Sequence, residues 1–190
     1  MEEQDVTLGA WLQAIQSTET SAWDALPSLE LYMDQVITLI NREIDLFLTD
    51  KDRGITPSMI NNYVKAGALP RPEQKKYNRE HLAILSLICM LKAEFSIQEI
   101  RDLIGVLSEN IETKTLYEEV TRSHAAYLKD SAARVGDADT MSDAGRCRLA
   151  IELAVEANAK RLIAAKLLSS VSLPDEKDKD KDKKKKKDEA

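Results

Sequence analysis

The sequence predicts an all-α protein carrying one short β-hairpin, and three observations carry that prediction. Apolar residues recur at three- and four-residue spacing through most of the chain. Ser, Thr or Asn stands where several of these runs begin, with glycine or proline near their ends. Only 5% of the 190 residues are aromatic against 43% hydrophobic, and 6 Gly with 5 Pro are too few for the frequent turns of a sandwich or barrel.

Thr7 is placed to cap a first helix in VTLGAWLQAIQ, with Trp11, Leu12 and Ile15 on one face. After the polar stretch STETS, Leu31, Val36, Ile37, Ile40, Ile44 and Phe47 predict a helix from about Ser28 to Leu48, broken by TDKDRG. Thr56 then caps a short helix with Pro57 at its first position, where the missing N–H costs nothing, and Gly67 closes it in the left-handed conformation. Pro70 and Pro72 keep the chain out of helix until Asn78, which caps REHLAILSLICMLKA, apolar nearly all round and so expected to run through the core. Ser96 and Glu99 form a capping box for SIQEIRDLIGVL, whose buried stripe is Ile97, Ile100, Leu103 and Ile104. Longer helices are expected at about 110–134 and 143–171, separated by VGDADTMSD. After Pro174 the chain is DEKDKDKDKKKKKDEA, with no apolar residue before Ala190, a composition expected to stay disordered.

The organisation read from these elements is an acidic helical segment 1–27, a central helix-turn-helix domain 28–107, a helical extension 108–173 and a Lys/Asp tail 174–190. No apolar run reaches the roughly 18 residues that cross a bilayer, and MEEQDVTLG is acidic where a signal peptide is basic. Cys89 and Cys147 are expected to be reduced, packed thiols, and the protein cytoplasmic. His81 and His124 stand far apart, His81 reading as a surface or cap histidine. The cysteines show no metal-ligand spacing, and phosphate-loop or nucleophile motifs are absent. No enzyme activity, cofactor or metal is expected.

Charge is unevenly spread. Residues 1–50 carry net −9 and residues 51–103 net +3, inside a chain of net −6. Between positions 53 and 79, Arg53, Lys65, Arg71, Lys75, Lys76 and Arg79 face a single acid, Glu73. Such a patch can hold a polyanion despite the acidic total, because salt screens charges beyond about 8–10 Å.

Within that patch, helical geometry turns Ile60, Tyr63 and Val64 of ITPSMINNYVKAG inward and Ser58, Asn61, Asn62 and Lys65 outward. Asparagine can bond N6 and N7 of adenine together, and lysine and serine serve bases or phosphates. ALPRPEQKKY reads as a hairpin wing with Pro72-Glu73 at its turn and Arg71, Lys75 and Lys76 on its rim, suited to phosphate contacts. The candidate DNA-binding residues are therefore Ser58, Asn61, Asn62, Lys65, Arg71, Lys75, Lys76 and Tyr77.

The order of short helix, G-x-L-P, wing, KYNREHL and SIQEI resembles the winged helix-turn-helix of MerR-type transcription regulators over roughly residues 53–105. LPSLELYMDQV, ITPSMINNYVK, LPRPEQKKY and REHL more closely resemble the uncharacterised bacterial family called domain of unknown function 1836. The resemblance implies a sequence-specific DNA-binding transcription regulator acting on double-stranded DNA. Where MerR proteins carry R-Y-Y-E, this chain has Asn61, Asn62, Tyr63 and Val64, so the family's usual backbone-contacting arginine and first tyrosine are absent and Tyr63 keeps a packing role. The acidic N-terminal third and that departure support an alternative, a helical protein–protein adaptor that retains the fold without DNA binding. In the last helix Leu149, Leu153, Ala157, Ala164 and Leu168 lie on or near one stripe, able to pack on their own domain or against a second copy. MerR-like proteins pair through a helix after the winged module, which implies a homodimer through the C-terminal helices.

Overall fold

The computed structural model describes residues 7–19, 22–45, 54–136 and 140–171. Phe47, Leu48, Arg53, residues 137–139 and the tail from Pro174 lie outside the described residues. The elements are α1 (Leu8–Ser17), a 3-10 turn (Trp23–Ala25), β1 (Leu31–Tyr32), α2 (Met33–Ile44), α3 (Pro57–Ala66), β2 (Lys76–Tyr77), α4 (Arg79–Leu91), α5 (Ile97–Ser108), α6 (Thr113–Val135) and α7 (Asp143–Ser169). The fold is mostly helical, and β1 and β2 pair antiparallel with Leu31 opposite Tyr77 and Tyr32 opposite Lys76.

Helix α4 is the axis of the core. Eight consecutive residues, His81–Ile88, are buried, as expected of a helix apolar nearly all round. Helices α2, α5 and α6 pack on it, and α3 packs on α2 and α5. Leu116 and Tyr117 of α6 join Val36, Ile40, Ile60 and Leu82 in one buried cluster, so the core runs across position 107. The N-terminal helix α1 docks on the far end of α6, with Leu12 and Ile15 against Ala132. Thr7 caps α1, its hydroxyl accepting from the Ala10 N–H at 3.2 Å.

Two expectations from the sequence are corrected here. The helix expected from Ser28 begins at Met33, because Leu31 and Tyr32 are extended and pair with β2. The first turn is closed by Gln35, whose side-chain oxygen accepts from the Tyr32 N–H at 2.9 Å. In α7, Leu149, Leu153 and Ala164 are half-buried and Leu168 is buried, but Ala157 is exposed. Arg134 of α6 instead holds the middle of α7, pairing with Glu152 at 3.1 Å and with Glu156.

One side chain fixes where α3 starts. Asn41 of α2 accepts from the Ile55 N–H at 2.6 Å and donates to the Ile55 carbonyl at 3.2 Å, replacing the partner that a strand would supply. Ile55 is 2% exposed, so water cannot take over both groups. A Cβ on the preceding Gly54 would collide with the Asn41 side-chain amide, so a larger residue there would push the clamp out of place. Asn41→Ala is expected to cost about 2–3 kcal/mol in urea unfolding, the penalty for two orphaned backbone groups. A loss below about 0.5 kcal/mol would show that the clamp is dispensable.

Candidate nucleic-acid interface

Helix α3 is bounded by local signals. The Thr56 hydroxyl accepts from the Met59 N–H at 3.3 Å, and Pro57 occupies the first helical position. Gly67 takes φ 77°, and the Ala68 and Leu69 N–H groups reach back to the Tyr63 carbonyl at 3.0 and 3.2 Å. The buried Ala68 and Leu69 then anchor the exit. Ile60 and Tyr63 are buried and Val64 is half-buried, while Ser58, Asn61, Asn62 and Lys65 are exposed. The inward face meets α2 and α5, leaving a side of two amides, a hydroxyl and an ammonium in solvent. Burial holds the Tyr63 phenol above its ordinary pKa, with Cys89 adding to the shift.

The hairpin sits two residues later than the sequence suggested. Its tip is Gln74-Lys75 instead of Pro72-Glu73, and the Lys76 N–H donates to the Glu73 carbonyl at 2.8 Å. Gln74 has φ 48° and Lys75 φ 64°, the pair of left-handed conformations that a type I′ turn requires. Neither is glycine or asparagine, and each left-handed residue costs about 1–2 kcal/mol. The turn thus holds an exposed lysine at its tip against local backbone preference.

The predicted basic residues divide into two groups. Lys65, Arg71 and Lys75 are exposed and make no ion pair among the described residues. The Lys76 ammonium lies 3.7 Å from Glu30, and Arg79 lies 3.5 Å from Asp24 with its guanidinium 5.7 Å from the Trp23 ring. The acidic N-terminal stretch therefore folds against the hairpin, a pairing that sequence reasoning missed because the partners are dozens of residues apart. Tyr77 is a correction of a different kind. It is 2% exposed, standing edge-on to His81 with ring centroids 5.5 Å apart, so it belongs to the core and offers no surface to a ligand. Its place follows from the pleat, since Leu31 and Tyr77 face each other across the β1–β2 pair.

Cys89 packs half-buried against the core, and burial pushes its thiol up to about 11. Cys147 is exposed, contrary to the packed thiol expected. Among the described residues there is no cluster of His, Cys, Asp and Glu that could hold a metal, and no helix is long and apolar enough to cross a membrane.

The chain is similar to known proteins. The family model described as "Domain of unknown function (DUF1836)" matches residues 21–127, which include β1, the Asn41 clamp, α3, the hairpin and α4. A curated protein of Haemophilus influenzae named "HTH-type transcriptional regulator ZntR homolog" is 33% identical over 91 residues, covering 45% of this chain. The matched stretch spans 65% of that relative, slightly under two thirds of its length. No solved structure matches the chain.

The hairpin leads into α4 through a cap that is open to acid. Asn78 accepts from the His81 N–H at 3.1 Å, and Nδ1 of His81 accepts from the Asn78 N–H at 3.2 Å. Nδ1 also lies 2.6 Å from the Asn78 side-chain oxygen, to which it donates when protonated, so the partner of this ring nitrogen changes with its protonation state. Burial holds the His81 pKa below its ordinary value, against opposing pulls from the Arg71 backbone and from Glu80, Glu30 and Glu73. A base with a lowered folded pKa contributes stability above its unfolded pKa of about 6.5 and loses it as pH falls toward the folded value. Melting temperature is therefore expected to drop between pH 7.5 and 5.5. His81→Gln keeps a side-chain acceptor at the same capping position, and its smaller acid-induced drop in a thermal melt checks the assignment.

Proposed function

We propose that this chain, which belongs to the DUF1836 family, is a DNA-binding transcription regulator with a winged helix-turn-helix. In this reading α3 enters the major groove and the hairpin lies along the phosphate backbone. The observation that carries it is the exposure of Asn61 and Asn62 beside Ser58 and Lys65, on a helix whose opposite face is pinned by burial of Ile60 and Tyr63. Paired amides on a rigidly seated helix suit bidentate recognition of a base edge. Arg71 and Lys75 supply exposed cations at the hairpin for phosphates. A relative named as a transcriptional regulator supports the same reading.

A second reading has its own observation. Lys76 and Arg79 already face Glu30 and Asp24, which reduces the charge available to DNA and favours a helical adaptor that binds protein. The two readings separate in a salt titration against random duplex DNA. A regulator loses affinity steeply with salt, with a slope of about 0.9 per neutralised phosphate, and an adaptor shows no such dependence. Arg71→Ala with Lys75→Ala is expected to lower the slope by about two, and Lys76→Ala by less than one because Glu30 shares its charge.

Sequence reading gives a sharper test. Asn61→Ala or Asn62→Ala should relax preference at one or two base pairs by about 5–150-fold in a binding-site selection, with stability and nonspecific affinity little changed. An unchanged preferred sequence in both variants would remove α3 as the reading element.

The regulator is proposed to work as a homodimer through α7. Ile151, Val155 and Leu162 are 66%, 63% and 54% exposed and project within about 40° of one another along the helix, an apolar stripe turned away from Leu149 and Leu153. Ile151→Asp with Leu162→Asp is expected to yield a folded monomer by sedimentation equilibrium. A variant that keeps the wild-type mass would place the contact elsewhere.

A further inference from the structure

We propose that the cavity between the C-terminal ends of α4 and α7 binds a neutral, apolar small molecule. The cavity measures ≈ 530 Å³ and is walled by four helices. Leu91 of α4, Leu107 of α5, Val120 of α6 and Leu167 of α7 contribute, with Phe95 and Val171 from the adjoining segments. Ligand sites generally fall between about 300 and 1,000 Å³. No charged side chain lines it, and its one polar residue, Ser170, has its hydroxyl engaged by the Leu167 carbonyl at 2.6 Å. A ligand seated here would find neither a counter-ion nor a free hydrogen-bond partner. Charged and strongly polar molecules would leave their own groups unpaired, so the chemistry selects a hydrocarbon-like or aromatic compound.

Several observations favour a small molecule over other occupants. Leu167 and Val171 stand at the rim 65% and 42% exposed, apolar surface that a ligand would take out of water. Beyond Val171 the sequence offers one further large apolar residue, Leu173, before the Lys/Asp tail, too little to fill the space. A helix from a second copy is about 10–12 Å across and needs apolar surface along several turns, whereas the α7 side of this partly open recess spans only Ala164–Val171. The stripe proposed for pairing, Ile151–Val155–Leu162, leaves the cavity's α7 residues free. An occupant would tie the last turns of α7 to α4 and α5, the helices that carry the core behind α3 and the hairpin. The inference stands apart from DNA binding, and its test uses no DNA.

The test is a fluorescence titration of the full chain with N-phenyl-1-naphthylamine, a neutral apolar probe that brightens out of water, paired with a thermal melt. Saturable binding of one probe per chain is expected, with a melting temperature that climbs as the probe is added. Ala164→Trp fills the cavity and is expected to weaken the probe at least tenfold while holding the melting temperature. Leu167→Asp, at an exposed position that tolerates the change, should weaken it similarly and carries the test if the tryptophan variant misfolds. Lys129→Ala, exposed on α6 and outside the cavity lining and the pairing stripe, should bind as wild type. The proposal is overturned if the probe fails to saturate, or if Leu167→Asp keeps wild-type affinity. Probe release on self-association at higher protein concentration would also overturn it, assigning the cavity to a second copy.

Discussion

The bidentate clamp from Asn41 to Ile55 is the constraint on which the rest of the candidate interface depends. A helix of ten residues is too short to be stable by propensity alone, so α3 must be held by its neighbours. The clamp fixes its entry against α2, the Thr56 cap and Pro57 set its first turn, and burial of Ile60 and Tyr63 seats its inner face. With the entry and inner face fixed, the rotation of the helix is fixed, and so is the exposure of Asn61 and Asn62. The amide does this where a second strand would otherwise be needed, and Gly54 leaves it room.

Charge is organised by folding more than by composition. The chain is acidic overall, and its first fifty residues, net −9, hold more than the whole excess of −6. Folding brings Glu30 to Lys76 and Asp24 to Arg79, so part of the acid is used up against the hairpin and the first turn of α4. Lys65, Arg71 and Lys75 stay outward. These exposed pairs add little to stability. Their larger effect is to decide which cations face solvent uncompensated.

Helix α7 shows how an element can be satisfied on one side and wet on another. Arg134 of α6 spans Glu152 and Glu156, and Ala164 and Leu168 turn toward the cavity, while Ile151, Val155 and Leu162 remain exposed. The hairpin shows a similar tolerance of local cost. Gln74 and Lys75 hold left-handed conformations that glycine or asparagine would adopt more cheaply, and the result is a lysine at the tip.

What the sequence determined was local. The caps at Thr7, Thr56, Asn78 and Ser96, the left-handed Gly67, the all-round burial of α4 and the inward side of α3 depend on residues within about one or two turns, and so they were legible in order and spacing. The mostly helical fold followed from the same periodicity. Tertiary structure decided the rest. Strands of two residues are too short for alternation to reveal, so β1 lies hidden inside a helical pattern and Tyr77 reads as a surface residue. The hairpin tip fell on residues whose propensities point elsewhere, and the partners of Lys76, Arg79 and Ile55 lie 46, 55 and 14 positions away in the chain. A contact of that kind is set by how α2 and the hairpin pack around α4, and no spacing rule encodes it, because its energy exists only once the chain has closed on itself.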